Sequence, residues 1–225
     1  MKKILIRAVR YDDIDTLVKI ENAAWGKGKA ATKEMFLSRL KVFSEGFFCA
    51  EVDGTICGFS CQEIIKMMDF KNTDMTWYTF TDNGYLAKSH NIKGDSLYGV
   101  SMSVPPYISD KNVALKLYEY CGKLAIKYNL KKIYLGSRIP RYFKYKDQMS
   151  VPEYIKAKSK TGRFLDPELA LYFSLNLKIE NIVSNYFEDP DSLNYGIIMS
   201  WTNPFYPFTR YFPFLAKILS KVFSV

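Results

Sequence analysis

Between Ser96 and Tyr128 the sequence changes its period once, and this change constrains the fold more than any other feature. Ser96 to Val104 reads as a strand. Val113 to Tyr128 reads as a helix, with Val113, Leu117, Tyr120, Cys121, Leu124, Ala125 and Tyr128 on one stripe. The turn between them, Pro105-Pro106-Tyr107-Ile108-Ser109-Asp110-Lys111-Asn112, sets a helix N-terminus at the end of a strand. Helix N-termini present unpaired backbone N–H groups and a partial positive charge, which suits a pyrophosphate. Such turns often carry glycine and this one has none. Glycine permits close approach but adds no donor beyond the backbone N–H that every non-proline residue carries, and Lys111 adds charge where glycine would add space. The alternative is a plain helix start capped by Ser109 or Asp110, with the Asp110 carboxylate repelling phosphate.

The remaining segments follow in a readable order. Lys3 to Val9 alternates as a strand, and Asp12 to Trp25 reads as a helix with Ile14, Leu17, Val18 and Glu21 at the 3.6 period. Gly26-Lys27-Gly28 breaks it, and Thr32 caps a second helix through Ser44, with Met35, Phe36, Leu40 and Phe43 on its apolar side. Phe47–Val52 and Thr55–Lys66 are strands around Asp53-Gly54, a two-residue hairpin signal. Residues 67–95 are aromatic and turn-rich. Lys132–Ser137 is the next strand, Pro152–Ser159 a short helix, and Asp166-Pro167 starts a helix to Leu175. Ile179–Phe187 and Tyr195–Trp201 are the last strands. The order is strand, two helices, three or four strands, helix, strand, helix, two strands.

Composition excludes several classes. Apolar residues make up 48% and charged residues 24% of the 225, so a packed core is expected and global disorder is not. The net charge of +9 favours acidic partners such as nucleic acid, anionic lipid, an acidic carrier protein or a phosphorylated cofactor. The charge is scattered, with Lys-Lys pairs at 2–3 and 131–132 and no basic run of five or six, which argues against nucleic acid. Cys49, Cys57, Cys61 and Cys121 with the single histidine, His90, give little for a metal site, so no metal is expected. Three of these cysteines lie in strand-like apolar runs and read as buried free thiols in a reducing, cytoplasmic compartment. Met1-Lys2-Lys3 precedes only a short apolar run and then Arg7 and Arg10, which is not a signal-peptide pattern, and no run approaches the about 20 apolar residues of a membrane span.

The element order and several motifs resemble the GNAT N-acyltransferase superfamily. Its cofactor turn usually reads Val-x-Pro-x-Tyr-Arg-Gly-x-Gly-x-Gly/Ala. Here Val104, Pro106 and Tyr107 hold the frame, Ile108 replaces the basic residue, and Lys111 and Val113 replace two glycines. The family's Tyr-x-x-x-Gly-Phe is matched by Tyr172-Phe173-Ser174-Leu175-Asn176-Leu177, where Asn tolerates the left-handed backbone of a helix end. The chain is further similar to GNAT domains associated with nitrilase-type carbon–nitrogen hydrolases. The matches there are Trp77-Tyr78-Thr79-Phe80-Thr81-Asp82-Asn83-Gly84, His90, Gly94, Gly136-Ser137-Arg138-Ile139-Pro140-Arg141-Tyr142, Asp166-Pro167 and Trp201-Thr202-Asn203-Pro204. The resemblance spans roughly residues 4–206.

It implies an α/β (α+β) GNAT fold: a mixed, mostly antiparallel, splayed sheet of about seven strands flanked by helices. It implies an acyltransferase that moves an acyl group from acetyl-CoA, a longer acyl-CoA or an acyl carrier protein to a primary amine by direct attack. The cofactor would lie against Met102, Ser103 and Val104, whose N–H groups polarise the thioester carbonyl, and against Ile108, Ser109, Asp110, Lys111, Asn112, Val113 and Ala114. Tyr172 would protonate the departing thiolate. No carboxylate stands in the middle of the cofactor strand, where Ser101 and Ser103 lie instead. Glu63 and Asp95 are the nearest carboxylates, and His90 is a third candidate base. Trp77 and Arg138 are the candidates for acceptor binding. The Arg138 fork binds a carboxylate or phosphate, or forms a structural ion pair with Asp166 or Glu153. A GNAT-fold module without catalysis is the alternative class.

Residues 207–225 lie outside the resemblance. Pro213 starts a helix with Phe214, Leu215, Ile218, Leu219, Val222 and Phe223 on one face and Lys217, Ser220, Lys221 and Ser224 on the other. That pattern fits an interfacial helix at the inner face of a membrane, acting on a lipid amine or acyl chain. It also fits a helix docked on its own domain or on a dimer partner.

Overall fold

In the computed structural model, the described residues are 3–26, 28–66 and 76–222. Met1, Lys2, Lys27, Phe223 and Ser224, named above, lie outside them, as do positions 67–75 of the turn-rich segment and position 225 of the tail. In chain order the elements are β1 (Ile4–Ala8), α1 (Ile14–Trp25), α2 (Lys33–Val42), β2 (Phe47–Val52), β3 (Thr55–Ile65), α3 (Trp77–Phe80), β4 (Ser96–Ser103), α4 (Asn112–Lys127), β5 (Lys132–Ser137), α5 (Val151–Tyr154), α6 (Pro167–Ser174), β6 (Lys178–Val183), β7 (Gly196–Thr202), α7 (Tyr206–Thr209) and α8 (Pro213–Val222). The seven strands form a sheet in the order β1-β2-β3-β4-β5-β7-β6. This is the mixed, mostly antiparallel sheet with flanking helices that the resemblance implied. The chain divides into two compact units. The first contains residues 1–67, 81–133 and 203–225, and the second 68–80 and 134–202.

In the first unit β1, β2, β3 and β4 pair antiparallel in succession. Asp53 and Gly54 turn the β2–β3 hairpin with φ of 50° and 78°, both left-handed as the tight turn requires. Along β3 and β4, Phe59 faces Ser103 and Cys61 faces Ser101, but Gln62 faces Gly99. The extra residue, Val100, makes a bulge in β4, which bends the strand and re-aims the residues after it. Helix α4 buries Val113, Leu117, Cys121, Leu124 and Ala125, the stripe its period announced. Helix α8 lies along α4 and buries Ala216. All four cysteines are free and buried.

The second unit holds β6 and β7, antiparallel, over a core of Ile139, Tyr142, Tyr154, Leu169, Ile197 and Met199. Asp166 caps α6 by accepting from the N–H groups of Glu168 (3.0 Å) and Leu169 (3.2 Å), with Pro167 at the first helical position. Asn176 leaves α6 with φ 61°, the left-handed conformation expected of it.

Three segments are shorter than read. The expected strand 179–187 ends at Val183, because Ser184 and Asn185 turn the chain with Asn185 at φ 52°. The expected helix 152–159 is the single turn of α5. Residues 11–13 form a 3₁₀ turn ahead of α1.

Candidate active site

At the end of β4 the chain passes through Val104 to Lys111 and enters α4 at Asn112. Asp110 caps this helix start: its Oδ1 accepts from the Asn112 N–H (2.9 Å) and from Asn112 Nδ2 (2.8 Å), and its carbonyl accepts from the Val113 N–H (3.1 Å). Among the described residues, the N–H groups of Ser109, Asp110, Lys111 and Ala114 donate to no acceptor in the protein. The turn is thus an aspartate-capped helix start with open donors around it. The space comes from across the sheet. A Cβ on Gly58 of β3 would lie 2.9 Å from the Ser103 carbonyl oxygen, 2.9 Å from Val104 Cγ2 and 3.4 Å from Val113 Cγ1. Glycine there lets the end of β4 and the first turn of α4 settle onto β3.

Beneath the turn lies a polar layer that faces α1 and α2. The Trp25 indole N–H donates to Ser103 Oγ (2.9 Å), and the Ser103 hydroxyl donates to Glu21 Oε2. Glu21 is buried, and burial holds its carboxyl above the usual range against the opposing pull of Ser103 and Arg39. Arg39 of α2 is completely buried. Its Nε donates to the Gly84 carbonyl (2.8 Å) and its Nη1 to Ser101 Oγ (3.1 Å). Thr81-Asp82-Asn83-Gly84 is thus a rigid turn, with φ of 49°, 54° and 85° at its last three residues, whose last carbonyl receives the arginine. Glu63 of β3 is also fully buried. It accepts from the Ser89 hydroxyl (2.6 Å), and burial pushes its carboxyl up to about 8. Arg39 Nη2 and Glu63 Oε1 have no hydrogen-bond partner in the protein. Arg39 attracts both carboxylates electrostatically without an ion-pair contact to either. Cys61, two residues before Glu63, is held up to about 12 by burial and is a poor nucleophile.

Chemically, this layer offers a buried carboxyl that exchanges its proton near pH 8 and a hydroxyl pinned beside the last backbone N–H groups of β4. Glu21 and Arg39 were missed as site residues. The signal was present: Glu21 stands on the apolar stripe of α1, and Arg39 lies three residues after Phe36 on the buried side of α2.

The other expected residues fall as follows. His90 Nδ1 accepts from the Ile64 N–H (3.1 Å), and its ring stacks on Phe43 at 4.7 Å. Nε2 then carries the proton, and burial lowers the ring's affinity for a second one. In the second unit Arg138 forms a two-pronged bond with Asp189 (2.8 and 2.9 Å) and approaches Glu168 at 3.8 Å. Asp166 and Glu153 are not its ion-pair partners: Asp166 caps α6 and Glu153 caps α5. The backbone N–H of Trp77 donates to the Tyr186 carbonyl (2.9 Å), and its ring meets Tyr78 and Phe187 edge-on. Tyr172, in α6, is partly buried against the core of its unit. Asp95 Oδ1 accepts from Ser96 Oγ (3.0 Å). Among the described residues no cluster of His, Cys, Asp and Glu could hold a metal ion, and no helix is long and apolar enough to cross a membrane.

No family model matches the chain. It is 33% identical over 203 residues to "Probable hydrolase YhcX" of Bacillus subtilis, and the match covers 90% of this chain but 39% of that protein. It is 32% identical over 207 residues to "Uncharacterized N-acetyltransferase YkwB" of the same organism, covering 90% of each. Among solved structures, the loading GNATL domain of CurA from Lyngbya majuscula has a TM-score of 0.78 at 18% identity, covering 89% of this chain and 98% of that one. The GphF GNAT-like decarboxylase, solved with isobutyryl-CoA, has a TM-score of 0.73 at 21% identity, covering 88% and 99%. Together with the strand–turn–helix and its open donors, these relationships show that the chain belongs to the GNAT N-acetyltransferase superfamily.

Proposed function

We propose that the protein transfers an acyl group from an acyl-CoA to a primary amine by direct attack on the thioester. The carrying observation is the helix start after β4, where the N–H groups of Ser109, Asp110, Lys111 and Ala114 are open and Gly58 makes room beneath them. In this reading those donors and the Lys111 ammonium hold the pyrophosphate. Backbone N–H groups from Met102 to Val104 polarise the carbonyl. Glu63, whose carboxyl titrates near 8, takes the amine proton. Ser103, tied to Glu21 and Trp25, keeps the end of β4 in place. Tyr172 is assigned the general acid by its place in the family motif. Trp77 and Arg138 are assigned to the acceptor side by the same resemblance. Residues 1–206 would be the catalytic domain, with the enzyme in the cytoplasm.

The name of the YkwB relative and the ligand of the GphF structure support the choice of reaction and donor. A carrier-protein donor is the second reading, favoured by the net charge of +9, since such carriers are acidic. The kinship to GNAT domains associated with nitrilase-type hydrolases is proposed from the motifs, and the partial match to YhcX supports it.

The test is release of CoA from acetyl-CoA and longer acyl-CoAs in the presence of a panel of primary amines. Release that requires amine is the expected result, with Tyr172→Phe slower by about 10²-fold or more and donor binding retained. Calorimetric titration showing no binding of any acyl-CoA would refute the reading.

A further inference from the structure

We propose that the C-terminal segment from Phe208 to Val222 docks the protein on an anionic bilayer surface. This inference is independent of the acyl-transfer reading. Phe208, Tyr211, Phe212, Phe214, Ile218 and Val222 are all exposed, at 55–73% of their full accessible surface. Six large exposed apolar side chains within fifteen residues, with the Phe212 and Phe214 rings 6.4 Å apart, are far more than scattered surface hydrophobics account for.

The helix itself is well placed to present them. Ala216 is buried and α8 lies against α4, so the helix is held on its own unit by its inner side. Phe214, Ile218 and Val222 are spaced by four and form one outer row. Lys217 and Lys221 form the adjacent outer row, and both are exposed. Ahead of the helix, the Arg210 guanidinium lies 4.4 Å from the centre of the Tyr211 ring and donates to the Tyr211 hydroxyl (2.6 Å). An apolar row bordered by cations and preceded by aromatic residues is the arrangement of an interfacial helix. The apolar side chains enter the acyl boundary, the lysine stems reach back to the headgroups, and the aromatic rings sit between.

Charge selects the occupant. After Asp191 the chain carries no Asp or Glu, while Arg210, Lys217 and Lys221 are cationic. A second copy docked by this segment about a two-fold axis would bring its three cations against three, with no acid in the segment to offset them. An anionic lipid surface meets the same charges favourably.

The experiment is co-sedimentation of the full chain with vesicles of phosphatidylcholine, with and without phosphatidylglycerol. The comparison proteins are Phe214→Gln/Ile218→Gln and Lys217→Gln/Lys221→Gln. All four positions are exposed, so folding is retained, and a thermal melt verifies it. The wild type is expected to pellet with the anionic vesicles and be released by salt. Each lysine removed weakens partition by about fivefold, so the lysine pair weakens it by about 25-fold, and the apolar pair abolishes it. Equal pelleting of wild type and the apolar variant overturns the proposal. So does an absence of vesicle binding, whether the protein is a monomer or a dimer that the apolar variant dissociates.

Discussion

Replacing Glu63 by glutamine isolates the titration of the buried carboxyl. Glu63 is fully buried, accepts one hydroxyl at 2.6 Å and has a second oxygen with no partner. Burial raises its carboxyl from 4.5 to about 8. The folded state therefore holds the proton more tightly than the unfolded chain. The stability this confers is fully present below pH 4.5 and is lost as pH rises through about 8. Between those limits the loss approaches about 1.4 kcal/mol per pH unit. From pH 5 to pH 8 the wild type should lose roughly 4 kcal/mol through this one group. Glutamine has nearly the same shape, keeps an acceptor for Ser89 and binds no proton. Glu21 and Glu168, also raised by burial, titrate in both proteins and cancel in the difference. Urea unfolding followed by circular dichroism at pH 5, 6, 7 and 8 measures the effect. The gap between Glu63→Gln and wild type should shift in favour of the variant as pH rises. Parallel stability curves across that range would refute the reasoning, because they would mean that Glu63 ionises in the folded protein as it does in water.

If Glu63 is the base, kcat/KM for amine acylation should rise to a plateau with a midpoint near pH 8, and Glu63→Gln should remove that rise; the pH–rate profile decides. Lys111→Glu at the exposed α4 start should weaken acyl-CoA binding about tenfold with the melting temperature unchanged, read by calorimetry. Gly58→Ala should cost about 1–3 kcal/mol, since its Cβ would fall 2.9 Å from the Ser103 carbonyl, and should weaken acyl-CoA binding as well. Asp189→Ala should destabilise the second unit by about 3 kcal/mol, because it leaves the Arg138 guanidinium without its two-pronged partner; a thermal melt reads this.

Much of the local architecture is legible in the residues themselves. Asp53-Gly54 announces its hairpin, Asp166-Pro167 its helix start and Asn176 its helix end, because each signal acts through the backbone of its own few residues. The stripe from Val113 to Ala125 predicts the buried face of α4 for the same reason. The strand–turn–helix over 96–128 is legible in the same way, while the Asp110 cap at its turn, one of two sequence readings, is settled by the hydrogen bonds to Asn112. The polar layer depends on tertiary structure. Ser103 meets Glu21 across 82 residues, and Arg39 meets Ser101 across 62 and the Gly84 carbonyl across 45. No local preference encodes those distances; they follow from β3–β4 register and from the packing of α1 and α2 on that face. Sequence alone showed Glu21 and Arg39 as charges on apolar helix faces, and Glu63 as one acid near the end of a strand. Burial beside one another turned them into an arginine that influences two carboxyls, one of them poised near pH 8. Arg138 makes the same point in the second unit. An ion pair is one of two sequence readings of it, with Asp166 or Glu153 as partner; the actual partner, Asp189, lies 51 residues away and is set by the tertiary fold.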